Sequence, residues 1–440
     1  MMGKVIIPSK SIDVIENVDV LVIGGGAAGC AAAVGAARMG AKTMLVEKLG
    51  YLGGATTAQL VIAVLSTNGI DFQGIWHEYM RELRQLDGVS PLQRYPGKEY
   101  IICGSVNAEC VKYAWERIIL RHNISILYHA CAIDVIKNRS AIEGVVFHTK
   151  AGNQAILSKR VIDCTGDGEI CNAANVPWQQ GDRNGVYAMA LSKIIAYGNL
   201  PVHDDDKPGL KGHVLGRTMG MSMTERMGAG GRLLHVDPLN PFDMTRAEIE
   251  GRDKGWTLLQ QIREAEKAPD IVISSSSEQA GVRSSRRIEG RKVVTASDAW
   301  NFVKSEDGIA KSSWDIDIWP HNSQTGAPVP RDTEEYKKRI RRMEAGDYFD
   351  IPYGCLIPVQ TENLLMAGRM ISAEHEAQAS LRIQQTCMST GEAAGTAAAM
   401  SIEQNVTPAN MDVRMLQKQL VCVRDVEPAF EMLKSLPYMK

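Results

Sequence analysis

The sequence predicts an α/β fold: a parallel sheet with a β-meander, plus an inserted α+β segment. Three observations carry this expectation. "VDVLVIGGGAAGCAAAVGAARMGAKTMLVEK" reads as a buried strand, a glycine turn, a helix of small residues and a second strand. "AIEGVVFHTKAGNQAILSKRVIDC" reads as short strands, with Ala151-Gly152-Asn153 as a turn. Near residue 350 the regular pattern returns, in "NLLMAGRMI" and "TCMSTGEAAGTAAAMSIEQN". A strand–helix–strand crossover implies a parallel pair. The late return implies a first domain split in sequence, at 16–180 and 346–440, with 181–345 inserted into it.

Composition bounds the function. The chain has 440 residues and is 45% hydrophobic, enough for a large core. With 49 basic and 51 acidic residues the net charge is −2, so no nucleic-acid partner is expected. "MMGKVIIPSKSIDVIENVD" lacks the apolar core and cleavage pattern of a signal peptide. No run of about 18 uncharged apolar residues exists, so no membrane span is expected. The nine cysteines include no C-x-x-C, which argues for reduced thiols in a cytoplasmic chain and against a redox dithiol or a zinc ribbon. "AEHEA" is not H-E-x-x-H, and no metal site is expected.

The middle segment is less regular. "VHDDDKPGLKGH" and "ISSSSEQAG" read as polar loops, and Met219 to Gly231 reads as a flexible surface loop or a substrate lid. "DTEEYKKRIRRM" reads as a helix with acids first and bases last, matching the helix dipole.

The glycine turn carries the chemistry. Gly24-x-Gly26-x-x-Gly29 follows a strand and opens a helix. The first glycine permits the tight turn, the second lets backbone approach a pyrophosphate, and the third lets helix and strand pack closely. The helix N-terminus adds free N–H groups and a positive dipole. Glu47 ends the second strand, placed to accept hydrogen bonds from ribose hydroxyls. FAD and NAD share this fingerprint. Separated elements favour FAD, because an extended dinucleotide needs several chain segments to hold it. "EKLGYLGGATT" supplies Gly53, Gly54 and Thr56; "VIDCTGDG" enters a second glycine turn; "NLLMAGR" forms a third element.

On the stretches quoted above, with "LGGATT", "VIDCTGDGEI", "GVRSSRRIEG" and "IPYGCLIPVQTENLLMAGRMISAEHEAQASLRIQQTCMSTGEAAGTAAA", the chain resembles the FAD-dependent oxidoreductase family. That family lies within the glutathione-reductase-like flavoproteins, and its relatives include fumarate reductase and succinate dehydrogenase flavoproteins and tRNA-modifying flavoproteins. The resemblance implies a Rossmann-like FAD-binding domain. It implies that Gly24, Gly26, Ala27, Ala28, Gly29, Glu47, Lys48, Gly53, Gly54, Ala55, Thr56, Thr165, Gly166 and Asp167 line the adenosine and pyrophosphate. It further implies that Ala132 presents backbone to adenine. Gly368 and Arg369 form the third turn, and Gln385 and Thr386 approach the flavin.

Four residues are candidates for catalysis. Arg382, just before the last helix, could add to that helix's dipole in stabilising reduced flavin. His375 is a candidate base, as is His321 in "DIDIWPHN". Arg286, with Arg283 and Arg287, could clamp a carboxylate or dock two domains. No second dinucleotide fingerprint follows a convincing strand. Electrons therefore come from a small polar organic substrate, or pass to a quinone, a partner protein or oxygen. Two other readings stay open: a flavoprotein subunit needing an electron-acceptor partner, and an NAD-linked dehydrogenase. Oligomeric state, including a homo-oligomer, is also open.

Overall fold

Val20, Leu21 and Val22 have no exposed surface. An apolar run without alternation is the pattern of a strand covered on both faces. The computed structural model describes residues 11–420, except 68, 96–97, 183–188, 203–210, 214–215, 219–225, 319–332, 335–336, 338–342 and 345. The first part runs β1 (Asp13–Ile23), α1 (Ala27–Arg38), β2 (Thr43–Val46), α2 (Ala55–Ala58), β3 (Ala63–Thr67), α3 (Ile75–Gln85), β4 (Gln93–Tyr95), β5 (Lys98–Ser105), α4 (Ala108–Arg121), β6 (Ser125–Leu127), β7 (Cys131–Asn138), β8 (Ala141–Thr149) and β9 (Gly152–Asp163). Next come α5 (Glu169–Ala173), β10 (Trp178–Gln179), β11 (Leu191–Gly198), β12 (Lys211–His213), β13 (Gly216–Thr218), β14 (Arg226–Leu233), α6 (Pro241–Glu266), β15 (Val272–Ser276) and β16 (Arg287–Ile288). The rest is α7 (Ala296–Asn301), β17 (Gly308–Ser312), β18 (Phe349–Pro352), β19 (Leu364–Met366), α8 (His375–Leu381), α9 (Gln384–Glu403) and α10 (Val413–Gln419).

The main sheet is mixed, in the order β6-β2-β1-β9-β8-β7. β1 pairs in parallel with β2 and with β9, and β2 with β6. β8 and β7 complete the meander in antiparallel pairing. One edge of β9 serves two partners. Its first half, Gly152 to Leu157, pairs with β8; its last residues, Val161 to Asp163, pair in parallel with β19. The strand near residue 365 thus enters the same sheet as the strand near residue 20. This is a mixed α/β, Rossmann-like arrangement.

Helix α9 packs along α1 with backbone almost on backbone. A Cβ placed on Gly391 would lie 2.1 Å from the Ala28 carbonyl oxygen, and one on Gly395 would lie 1.9 Å from that of Ala32. Only glycine fits at such a seam. Glu392, between them, accepts from Arg38 Nη1 (2.8 Å) and from the Ile75 backbone N–H (3.2 Å), which ties α1, α9 and the start of α3 together. The α3–α4 side is aromatic: Phe72 stacks on Trp76 at 4.6 Å and Tyr79 on Trp115 at 4.8 Å. In the connection between β3 and α3, Asp71 is fully buried and accepts from the Ser66 hydroxyl.

The middle segment builds its own sheet, with β11 central between β14 and β15. α6 covers it through Ala247, Gly251, Gly255, Leu259 and Ile262. Three readings of this segment are corrected. "ISSSSEQAG" is not all loop, because Val272–Ser276 pairs along β11. Its serines are mostly exposed, on an edge strand whose composition hides the pairing. The glycine-rich end of Met219–Gly231 is also strand, since Arg226 to Leu233 pairs with β11; positions 219–225 lie outside the described residues. Within the polar "VHDDDKPGLKGH", Lys211–His213 pairs with β13.

Candidate functional site

The ends of β1, β2, β9 and β19 meet at one rim, where glycine turns replace side chains. Gly24 sits at φ +99°, and its N–H donates to the Val46 carbonyl at 2.8 Å, closing β1 onto β2. The Cys164 N–H donates to the Ile23 carbonyl at 2.8 Å, closing β9 onto β1. Gly29 faces the turn itself: a Cβ there would lie 1.7 Å from the Gly24 carbonyl oxygen. α1 begins after Gly26, which offers no side-chain cap, so the first-turn N–H groups are left for another acceptor.

A cleft of about 400 Å³ runs from this rim. Its wall includes Gly24, Gly26, Ala27, Ala28, Glu47, Lys48, Gly53, Gly54, Ala55, Thr165, Gly166, Asp167, Gly368, Arg369, Arg382 and Gln385. Residues from six separate segments of the chain therefore share one wall. Glu47 is buried; its carboxylate accepts from the Gly25 N–H at 2.5 Å and the Leu49 N–H at 2.9 Å. Asp163 is buried behind the second glycine turn. It accepts from the Thr165 N–H (3.1 Å) and hydroxyl (2.8 Å) and from the Cys171 N–H (2.9 Å), and burial pushes its carboxyl up.

Asp167 pairs with Arg369 at 2.6 Å and accepts from the Ser285 hydroxyl at 2.5 Å. Burial would raise its carboxyl, but the Arg369 guanidinium, with these hydrogen bonds, holds it below its ordinary value. Gln378 fixes the neighbourhood, its Nε2 donating to the carbonyls of both Arg283 and Arg369 at 3.1 Å. Arg283 and Arg382, both singled out by the sequence, line the cleft beside Trp314, Gln279 and Asp317, which the sequence did not mark. Arg382 is 13% exposed; its Nη2 donates to the Asp317 carbonyl at 3.0 Å. Burial pulls the Arg382 guanidinium down from its ordinary value, and the Arg369 charge adds to this. Nε of Arg369 and of Arg382 are buried and have no hydrogen-bond partner among the described residues. The Cys387 thiol on the wall is pushed up to about 12 by burial, so it is no thiolate nucleophile at neutral pH.

Several expected residues do not line the cleft. Arg286 donates to the Asp167 carbonyl at 3.0 Å and lies 5.2 Å over the Trp178 ring, buttressing the second turn from outside. Arg287 is buried, donating to the Ala373 and Gly181 carbonyls, which is docking between segments. His375 opens α8, two turns or about 10 Å behind Arg382 along the helix. Ala132 pairs with Phe147 on the meander, and Thr386 is fully buried in α9. Thr56 donates to Gln384 Oε1 at 2.6 Å. His321 lies outside the described residues. Among the described residues no histidine lines the cleft, no metal-binding cluster occurs, and no helix is long and apolar enough to cross a membrane.

The residues present fit FAD. An uncapped helix start, glycines where a pyrophosphate must approach, a carboxylate for a ribose and buried guanidinium N–H groups without partners form a donor set for a long anionic dinucleotide. Glu47→Ala should weaken FAD binding by roughly 30-fold, about 2 kcal/mol for a charged hydrogen-bond acceptor. Quenching of flavin fluorescence on titrating the apoprotein measures this, and an unchanged Kd would remove Glu47 from the site.

No curated protein sequence matches the chain. Solved structures do, at low identity. A geranylgeranyl bacteriochlorophyll reductase-like protein from Thermoplasma acidophilum is 13% identical, with 96% of this chain and 97% of that one covered, at TM-score 0.47. A flavin-dependent brominase is 15% identical, covering 95% and 84%, at 0.48. The myxobacterial chondrochloren halogenase is 13% identical, covering 92% and 78%, at 0.47. Such likenesses say nothing of reaction or substrate. The sequence model described as FAD dependent oxidoreductase matches residues 19–420. With nearly the whole chain matched, and a cleft whose donors suit the dinucleotide, this protein belongs to the FAD-dependent oxidoreductase family and is an FAD-dependent enzyme.

Proposed function

We propose that the enzyme transfers a hydride between carbon of a small, anionic polar substrate and the flavin, with a separate acceptor or donor completing the cycle. Bound FAD supplies the two-electron chemistry. Gly24, Gly26, Ala27, Ala28, Glu47, Lys48, Gly53, Gly54, Ala55, Thr165, Gly166 and Asp167 hold the adenosine and pyrophosphate. Gly368, Arg369 and Gln385 hold the part nearer the flavin ring. The observation that carries the reading is the convergence of Arg283, Arg369 and Arg382 on one cleft, with Arg369 already matched to Asp167. Arg382 holds negative charge at the start of α9, where the helix dipole acts in the same direction. Arg283 comes from the segment at 181–345, which acts as the substrate-facing insert. Asp317, beside Arg382, is a carboxylate placed to exchange a proton with substrate, whereas His375 does not line the cleft.

Arg382→Gln should lower kcat by roughly 100-fold while FAD content stays stoichiometric, the scale expected for losing one preorganised charge donor. Anaerobic bleaching of the visible flavin absorbance by a panel of hydroxy and amino acids and their amides provides the test. Faster bleaching by acids than by amides, with that preference lost in Arg382→Gln or Arg283→Gln, supports the reading. Bleaching by neutral substrates alone, untouched by either substitution, would sink it.

A further inference from the structure

The outer face of α6 is not explained by the flavin site. Phe242 is 83% exposed, Ile249 59% and Trp256 57%. They are spaced by seven residues. Seven steps of about 100° fall only about 20° short of two full turns, so all three lie in one stripe. The opposite face, Ala247, Gly251, Gly255, Leu259 and Ile262, is already packed on the sheet of β11, β14 and β15. With side chains of roughly 150–250 Å² each, the exposures leave on the order of 400 Å² of apolar surface in the stripe.

Charge says what fits there. Arg246 and Asp253 are also seven apart, so they lie on the same flank of the stripe. Set a second α6 antiparallel against the first, about a two-fold axis near Ile249 and Glu250. Each Arg246 then lies opposite the partner's Asp253, and each Phe242 approaches the partner's Trp256. A parallel pairing would set Arg246 on Arg246 and Arg252 on Arg252. The helix carries six acidic and four basic side chains, the wrong balance for an anionic membrane surface. Two stripes face to face cover on the order of 800 Å² of apolar area. With a polar rim this reaches the roughly 1,200 Å² at which specific interfaces begin.

We propose that the exposed stripe of α6 is a homodimer interface, in which two copies pair their α6 helices antiparallel through Phe242, Ile249 and Trp256. This does not rest on the proposed substrate.

Sedimentation equilibrium of the FAD-loaded enzyme over a concentration series tests it. The wild type should sediment as a reversible dimer, and Trp256→Glu should raise its dissociation constant by roughly 100-fold or more. FAD content and circular dichroism should stay unchanged, because the side chain is mostly exposed. Disulfide trapping in a Cys131→Ser background fixes the orientation. Ile249→Cys alone should cross-link two copies. Phe242→Cys and Trp256→Cys should cross-link when mixed and not separately, because 14 helical residues span about 21 Å. A wild type monomeric at every concentration would overturn the proposal, as would cross-linking of Phe242→Cys to itself. So would a monomer that binds vesicles of phosphatidylcholine and phosphatidylglycerol through Trp256.

Discussion

Gly391→Val should prevent assembly of the holoenzyme. A side chain at this position meets the Ala28 carbonyl at a distance no Cβ can occupy, and both groups are backbone in the middle of packed helices. Neither can move by rotating a side chain. Relief requires α9 to lift from α1, and α1 carries the glycine turn proposed to take the pyrophosphate. The expected cost is roughly 4 kcal/mol, at the upper end of overpacking effects. Thermal unfolding and bound-flavin content should fall together. Gly198→Ala is the control: a Cβ there sits 3.5 Å from Ser274 Cβ, ordinary contact, and the change should cost under about 1 kcal/mol. Equal melting temperatures for Gly391→Val and the wild type would mean that the helices do not approach this closely.

The second large effect is a pH dependence from Asp71. Burial pushes its carboxyl up from 3.8 to about 7, against the lowering effect of the Ser66 hydrogen bond. The folded state therefore holds this proton more tightly than the unfolded chain. The stability it contributes is fully present below about pH 4 and is lost progressively as pH rises to about 7. The span corresponds to about 4 kcal/mol. Asp71→Asn keeps the size and removes the titration. The difference in unfolding free energy between the two proteins should therefore slope between pH 4 and 7 and level off above. A constant difference across that range would show that Asp71 is ionised in the folded protein throughout.

The sequence exposes whatever depends on neighbours along the chain. The strand before Gly24, the spacing to Gly26 and Gly29, Glu47 at the end of the next strand and the small residues of α9 are local patterns, and each stands in the structure as an element of the same kind. Interactions between distant segments leave no such local pattern. β15 is a serine run that becomes a strand only because β11 offers it a partner. Arg283, Arg369 and Arg382 meet because Gln378 bonds two of their backbones, and nothing in their spacing announces this. Arg286 looked equivalent to Arg283, yet three positions along an irregular segment turn it to the outside of the cleft. His375 shares a helix stripe with Arg382, but rise along the axis separates them, a distance that sequence periodicity alone does not weigh.

The double use of one edge of β9 sets an order of events during synthesis. While residues up to about 360 are being made, β9 has its meander and β1, but Val161 to Asp163 lack the partner that β19 later supplies. α1 meanwhile keeps its glycine face uncovered until Gly391 and Gly395 arrive. The rim proposed to receive FAD is thus built from the two ends of a matched stretch some 400 residues long. A ribosome-bound chain stopped before α9 should carry the fingerprint and still bind no flavin, so cofactor loading waits for α9.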